Sequence, residues 1–176
     1  YIAYFEGDDY WTDPQKLQKQ VDFLESEEGS SLSFHRVKTL KYSEKDTFEY
    51  PIPTKKLMSF YDLAKDHYIA TGSIMFRREY LKDCLPKWFD EIFVQDIPFE
   101  LLLASKGTVG YFDEEMGVYR RNLSSLTHSK AQNDKLRSGY IKMYRMLAAE
   151  LPFKLSLPIY KKVWKYRLGY IKDLFR

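Results

Sequence analysis

The first five residues, Tyr1-Ile2-Ala3-Tyr4-Phe5, are a short apolar, aromatic run that reads as a buried strand. A polar turn, Glu6-Gly7-Asp8-Asp9, follows. Thr12 or Asp13 can then cap a helix that carries Pro14 in its first turn and Leu17, Val21 and Leu24 as one apolar stripe. Gly29 closes that helix, and Ser31 to Val37 reads as the next strand. Residues 41–56 are polar, hold Pro51 and Pro53, and read as a loop. Ser59 caps a short helix through Lys65. Ile69 to Phe76 is strand-like but interrupted by Thr71-Gly72-Ser73, and Arg78 to Cys84 reads as a helical turn. Pro98 opens a helix over Phe99 to Lys106, with Asp96 as its cap. Thr108 to Phe112 and Met116 to Arg120 read as two short strands. Lys130 to Glu150 and Tyr160 to Phe175 are helical in pattern, with Pro152 and Pro158 as breaks. Alternating strands and helices of this kind predict an α/β layered domain over residues 1–128 and a helical tail over 129–176.

Composition narrows the class. The 44% apolar content suffices for a core and excludes a wholly disordered chain. No apolar run reaches the ~18 residues that a membrane span needs, and no signal-peptide pattern is present. The single cysteine, Cys84, excludes an internal disulfide and a cysteine-built zinc site. A start inside an apolar run, on Tyr1, leads us to expect that sequence upstream has been cut away.

The net charge of +3 hides a split. Residues 1–128 hold 16 Lys/Arg against 22 Asp/Glu, whereas residues 129–176 hold 12 against 3. A basic tail that also carries Tyr140, Tyr144, Phe153, Tyr160, Trp164, Tyr166, Tyr170 and Phe175 fits the interface of an anionic membrane. A helical appendage packing its aromatics on the main domain ranks ahead of that reading. Stacking on single-stranded nucleic acid ranks below both.

Two acidic places carry candidate chemistry. Glu6, Asp8 and Asp9 crowd three carboxylates at a strand end, where open α/β sheets place ligands. Such carboxylates repel unless a cation or donors intervene, and hard oxygen ligands suit Mg²⁺ or Mn²⁺. An acidic turn before a helix is the alternative. Asp96 can cap its helix or act as a general base, and at a helix N-terminus it is a weak base unless desolvated.

Tyr1 to Pro14, with Lys16-Leu17-Gln18 and Gln20-Val21-Asp22-Phe23-Leu24 after it, resembles the central segment of family 2 glycosyltransferases, which have the GT-A fold. In that family an acidic DxD element at a strand end precedes a "DDxW…P.KL..Q" stretch. Thr71 to Arg78 resembles the family's acceptor-side strand. Gln95-Asp96 with Glu100-Leu101-Leu102-Leu103-Ala104 and Gly107 resembles the segment that carries the base. Gly117 to Arg121 and Ser124 to His128 resemble its closing stretch. The resemblance spans roughly residues 1–128 and implies a partial GT-A-like (Rossmann-like) mixed sheet flanked by helices.

It further implies transfer of a sugar from a nucleotide-sugar, a UDP-sugar by family habit, to the hydroxyl of a glycan or lipid-linked acceptor, with inversion. Glu6, Asp8 and Asp9, with His128 as a further ligand, would hold Mn²⁺ or Mg²⁺; Asp96 would be the base. Asp9, Trp11, Thr71, Gly72, Ser73 and Arg120 would contact donor or acceptor. The implied location is cytoplasmic, peripheral on the inner face of the membrane. Glu6 stands where the family has Asp, Gln95 stands where it has an acid, and the family's nucleotide-binding first half is not in this chain. The fragment is therefore expected to be inactive alone, with a truncated sheet prone to self-association. The alternative function is an incomplete fragment that binds a membrane surface or a protein.

Overall fold

Thr108–Arg120 form one continuous strand, and the rest of the sheet is arranged around it. The computed structural model describes residues 1–41, 43–44, 46–81, 85–121 and 130–174. The strands are β1 (Ile2–Ala3), β2 (Tyr10–Trp11), β3 (Ser30–Leu40), β4 (Leu57–Met58), β5 (Met75–Phe76) and β6 (Thr108–Arg120). The helices are α1 (Lys16–Ser26), α2 (Phe60–Lys65), α3 (Asp96–Ala104), α4 (Lys130–Glu150) and α5 (Phe153–Leu174). The sheet order is β1-β5-β3-β6-β2, and β4 also pairs with β6. β3 and β6 run parallel, while the other pairs are antiparallel, so the sheet is mixed. The expected mixed α/β architecture with flanking helices is thus present.

Several elements differ from the pattern's prediction. The acids Asp113, Glu114 and Glu115 do not divide β6: Asp113 and Glu114 bulge out of its pairing with β3, which passes from Phe112 opposite His35 to Glu115 opposite Arg36, and cations stand beside the acids. Arg36 lies 3.3 Å from Asp113 and 3.6 Å from Glu115, and Lys19 lies 2.5 Å from Glu114. The bulge appears as register shifts between β3 and β6 around Arg36. The opening strand is only Ile2–Ala3. α1 begins at Lys16 after Gln15; Asp13 instead accepts from Gln15 N at 2.8 Å. α1 also turns a different face inward: Lys16, Gln20 and Leu24 are buried, while Leu17 is 42% exposed. α3 starts at Asp96, so Pro98 falls third in the helix, still within the turn whose N–H groups lack partners. Pro158 lies inside α5 and does not end it. Cys84 lies outside the described residues.

α2 follows its local signals closely. Ser59 accepts from Asp62 N, and the Asp62 carboxylate accepts from Ser59 N at 2.9 Å, a reciprocal capping box. The core joins both ends of the chain. Leu32, Phe34 and Val109 of the sheet share one buried cluster with Leu103 of α3, Leu147 of α4 and Ile159 of α5. Among the described residues, no helix is long and apolar enough to cross a membrane.

Candidate functional site

The sheet register assembles the site. β2 runs antiparallel to the end of β6, with Tyr10 opposite Val118. Asp9, one residue earlier, therefore falls beside Arg120, whose backbone N–H donates to Asp9 Oδ1 at 2.9 Å. The Arg120 side chain reaches back to the Asp8 carbonyl and lies over the Tyr10 ring. β1 pairs with β5, and Tyr4 N donates to Ile74 O at 3.1 Å, which brings the strand's exit to the 3-10 turn Thr71–Ser73. Phe99 of α3 packs its ring 5.2 Å from Phe76 and 6.3 Å from Tyr4. That contact sets the N-terminus of α3, with Asp96, beside the acidic loop.

Glu6, Asp8 and Asp9 can each offer one carboxylate oxygen, and these oxygens lie within 4.8 Å of one another. Opposite ligands of a Mg²⁺ ion stand about 4 Å apart, so the loop's donors suit a small hard cation in chemistry and lie within about an ångström of the spacing it needs. Burial raises the Glu6 carboxyl above its ordinary value, and the charges of Asp9, Asp8 and Asp96 add to that. Burial also raises Asp9, against the lowering effect of the Arg120 N–H. Both groups hold protons more readily than free carboxyls, as crowded acids do without a counter-charge. Gly72 closes the back of the loop: a Cβ there would sit 3.3 Å from Asp9 Oδ2.

A cleft of about 640 Å³ opens between β1, the Thr71–Ser73 turn, α3 and α4. Its walls are mostly apolar and aromatic, and its polar lining includes Glu6, Thr71, Asp96 and Glu100. Tyr140 and Leu136 of α4 line it too, so the basic C-terminal segment forms part of the site's wall.

The residues singled out from sequence divide into three groups. Glu6, Asp8 and Asp9 meet in the loop, and Glu6, Thr71 and Asp96 share the cleft. Trp11, Gly72, Ser73 and Arg120 support the site from behind. The Trp11 indole donates to Gly72 O at 2.8 Å, and the buried Ser73 hydroxyl donates to Ala70 O at 2.6 Å. Arg121 is spent on an ion pair with the buried Asp46 at 2.6 Å. His128 lies outside the described residues.

Asp96 is the first helical residue rather than the cap, and its Oδ1 accepts from Ile97 N at 2.8 Å. Glu100, one turn on, had no role assigned from sequence. It is 3% exposed, its Oε2 is 3.5 Å from His67 Nε2, and its Oε1 has no hydrogen-bond partner among the described residues. Burial pushes its carboxyl up to about 7, opposed by His67 and aided by the Asp96 charge. Burial disfavours the His67 cation, but Glu100 outweighs this and raises the imidazole. The four-residue spacing of Asp96 and Glu100 on one helix face was the available signal; nothing in the sequence pointed to His67.

No family model matches the sequence. The chain is 33% identical over 130 residues to uncharacterized proteins of Mycobacterium tuberculosis and Mycobacterium bovis. The aligned part is 73% of this chain, and the chain spans only 37% of those relatives' length.

Proposed function

We propose that the chain carries the catalytic portion of a family 2-like glycosyltransferase, which moves a sugar from a nucleoside diphosphate-sugar to an acceptor hydroxyl with inversion. The observation that carries this reading is the convergence of Glu6, from the acidic loop, with Asp96 and Glu100, from α3, on one cleft. A divalent cation held by Glu6, Asp8 and Asp9 would neutralise the donor diphosphate and stabilise its departure. Arg120 keeps the loop in place through the Asp9 carboxylate and the Asp8 carbonyl.

The acceptor enters the cleft with its hydroxyl toward α3. Its oxygen forms the new bond to the anomeric carbon as the bond from that carbon to the diphosphate oxygen breaks, and the electron pair leaves with the nucleoside diphosphate. The hydroxyl proton passes to the Asp96–Glu100 pair. A carboxyl poised near neutrality is the stronger base of the two kinds, because its ionised form is poorly solvated. Glu100 supplies that character, and His67 behind it offers the proton an exit toward solvent.

The test pairs two measurements. Mn²⁺ binding to the 176-residue chain is followed by electron paramagnetic resonance, with Asp8→Asn as the control. Transfer is assayed with a panel of nucleotide-sugars on the chain joined to the upstream segment that the resemblance calls for. Metal binding lost in Asp8→Asn, with metal-dependent turnover in the longer protein, supports the reading. A longer protein that neither hydrolyses nor transfers any nucleotide-sugar tested, and in which Asp8→Ala changes nothing, overturns it in favour of a binding module.

A further inference from the structure

α5 buries one face and leaves a second apolar face uncovered. Ile159 and Val163 point into the core, and Tyr166 stacks on Tyr140 with ring centroids 5.3 Å apart. Phe153, Leu157, Tyr160, Trp164 and Leu168 recur at i, i+4, i+7, i+11 and i+15, which places them in one stripe along the helix. Their exposures run from 43% at Tyr160 to 78% at Phe153, so the stripe faces outward over its whole described length. Scattered exposed apolar residues are ordinary, but five in helical register are not.

Charge states what covers the stripe. Lys154, Lys161, Lys165 and Arg167 are exposed beside it, and α5 holds no acidic residue from Phe153 to Lys172. Lys162, on the inner side, instead lies over the buried Tyr144 ring. An apolar stripe with an aromatic residue at its centre and cations on its flank matches the boundary between acyl chains and anionic headgroups. A second copy of this chain would set the same lysines against each other, and a nucleic acid would leave Phe153, Leu157 and Leu168 facing water.

We propose that α5 docks flat on an anionic lipid bilayer through Phe153, Leu157, Tyr160, Trp164 and Leu168, with Lys154, Lys161, Lys165 and Arg167 reaching the headgroups. The helix lies in the interface and does not span it. Because Tyr166 stacks on Tyr140, a wall of the cleft, the cleft stands about one helix diameter, roughly 10 Å, from the bilayer surface. The docking does not depend on the transferase reading.

The test is co-sedimentation of the 176-residue chain with vesicles of phosphatidylcholine alone or with about a third phosphatidylglycerol, at low and high salt, alongside the tryptophan emission, with Trp164→Phe subtracting the signal of Trp11 and Trp88. Two doubly substituted proteins are compared, Leu157→Ser with Trp164→Ser, and Lys161→Glu with Lys165→Glu. All four positions are exposed, and circular dichroism checks that the fold is kept. The expected result is binding to the anionic vesicles only, weakened by salt, with a blue shift of the Trp emission. Both variants should bind at least about tenfold more weakly, since each surface lysine contributes severalfold. Failure of the wild type to sediment with anionic vesicles at low salt overturns the proposal. So does binding that neither variant weakens, or a concentration-dependent dimer that the Leu157/Trp164 variant abolishes.

Discussion

The Lys16 ammonium nitrogen lies 4.1 Å from the centroid of the Trp11 ring and donates to Gln20 Oε1 at 2.8 Å, with the lysine fully buried. Gln20 in turn donates to Ser33 O, Ser33 Oγ and Ser73 O, so α1, β3 and the 3-10 turn share one buried polar network. Among the described residues, no carboxylate forms an ion pair with the cation. Burial lowers Lys16 to about 8.

That lowering fixes a sign. Below about pH 8 the folded state carries the buried charge, and the unfavourable contribution is constant. As pH rises from there toward the ordinary lysine value, the unfolded chain binds the extra proton and folding is favoured. Relative to Lys16→Met, the wild type should gain on the order of 1 kcal/mol between pH 7 and about 9.5, allowing for solvent screening. Urea unfolding of both proteins at the two pH values measures it, and parallel pH curves would remove the effect.

Gly72→Ala should act on the acidic loop without acting on the fold. The added Cβ meets Asp9 Oδ2 at 3.3 Å and must displace that carboxylate by a few tenths of an ångström. Mn²⁺ affinity should fall severalfold, while thermal unfolding shifts little. Calorimetry on the two proteins gives the affinity ratio, and an unchanged value would show that Asp9 is not a ligand.

Metal binding should release protons. Glu6 and Asp9 are both held above the ordinary carboxylate range, and a cation needs them ionised. Affinity should therefore drop as pH falls through their raised values. Titrations at mildly acidic pH in buffers of different ionisation enthalpy report the protons released. Buffer-independent heats would contradict the expectation.

Glu100→Gln separates two consequences of a buried carboxyl. Because Glu100 is raised to about 7 from an ordinary value near 4.5, the folded state holds its proton more tightly than the unfolded chain. Stability is full below the ordinary value and declines as pH rises toward 7. The groups facing Glu100 are His67, Asp96 on its own helix, and Asp66, Tyr144 and Lys162 around the small cavity behind it. Glu100→Gln should flatten that decline, and in the transfer assay it should lower turnover roughly 10²-fold. His67→Asn should shift the acid limb of the pH profile instead. Turnover and pH profile both equal to wild type in Glu100→Gln would leave Asp96 as the base.

What was legible in the sequence was what is settled locally. Ser59 and Asp62 cap α2 within one turn, and three acids in four residues mark a loop whatever lies around them. The face of α1 was not local. Leu17, Val21 and Leu24 satisfy an apolar spacing, yet Lys16 and Gln20 are buried because Trp11, Ser33 and Ser73 supply partners from three other elements. β6 was misdivided for the same reason, since Asp113 and Glu114 bulge out of its pairing with β3, and Arg36 and Lys19 stand beside its acids from β3 and α1. The Glu100–His67 pair joins residues that no pattern links.

The bond from Arg120 N to Asp9 Oδ1 closes a loop of 111 residues. Contacts so far apart in the chain are reached late, because the entropy of closing the loop must be met before they contribute. β2 has to meet the end of β6 before the acidic loop acquires its anchor. During refolding, affinity for Mn²⁺ should accordingly emerge in the slowest phase, after the helices have formed. Metal uptake would then time the completion of the sheet.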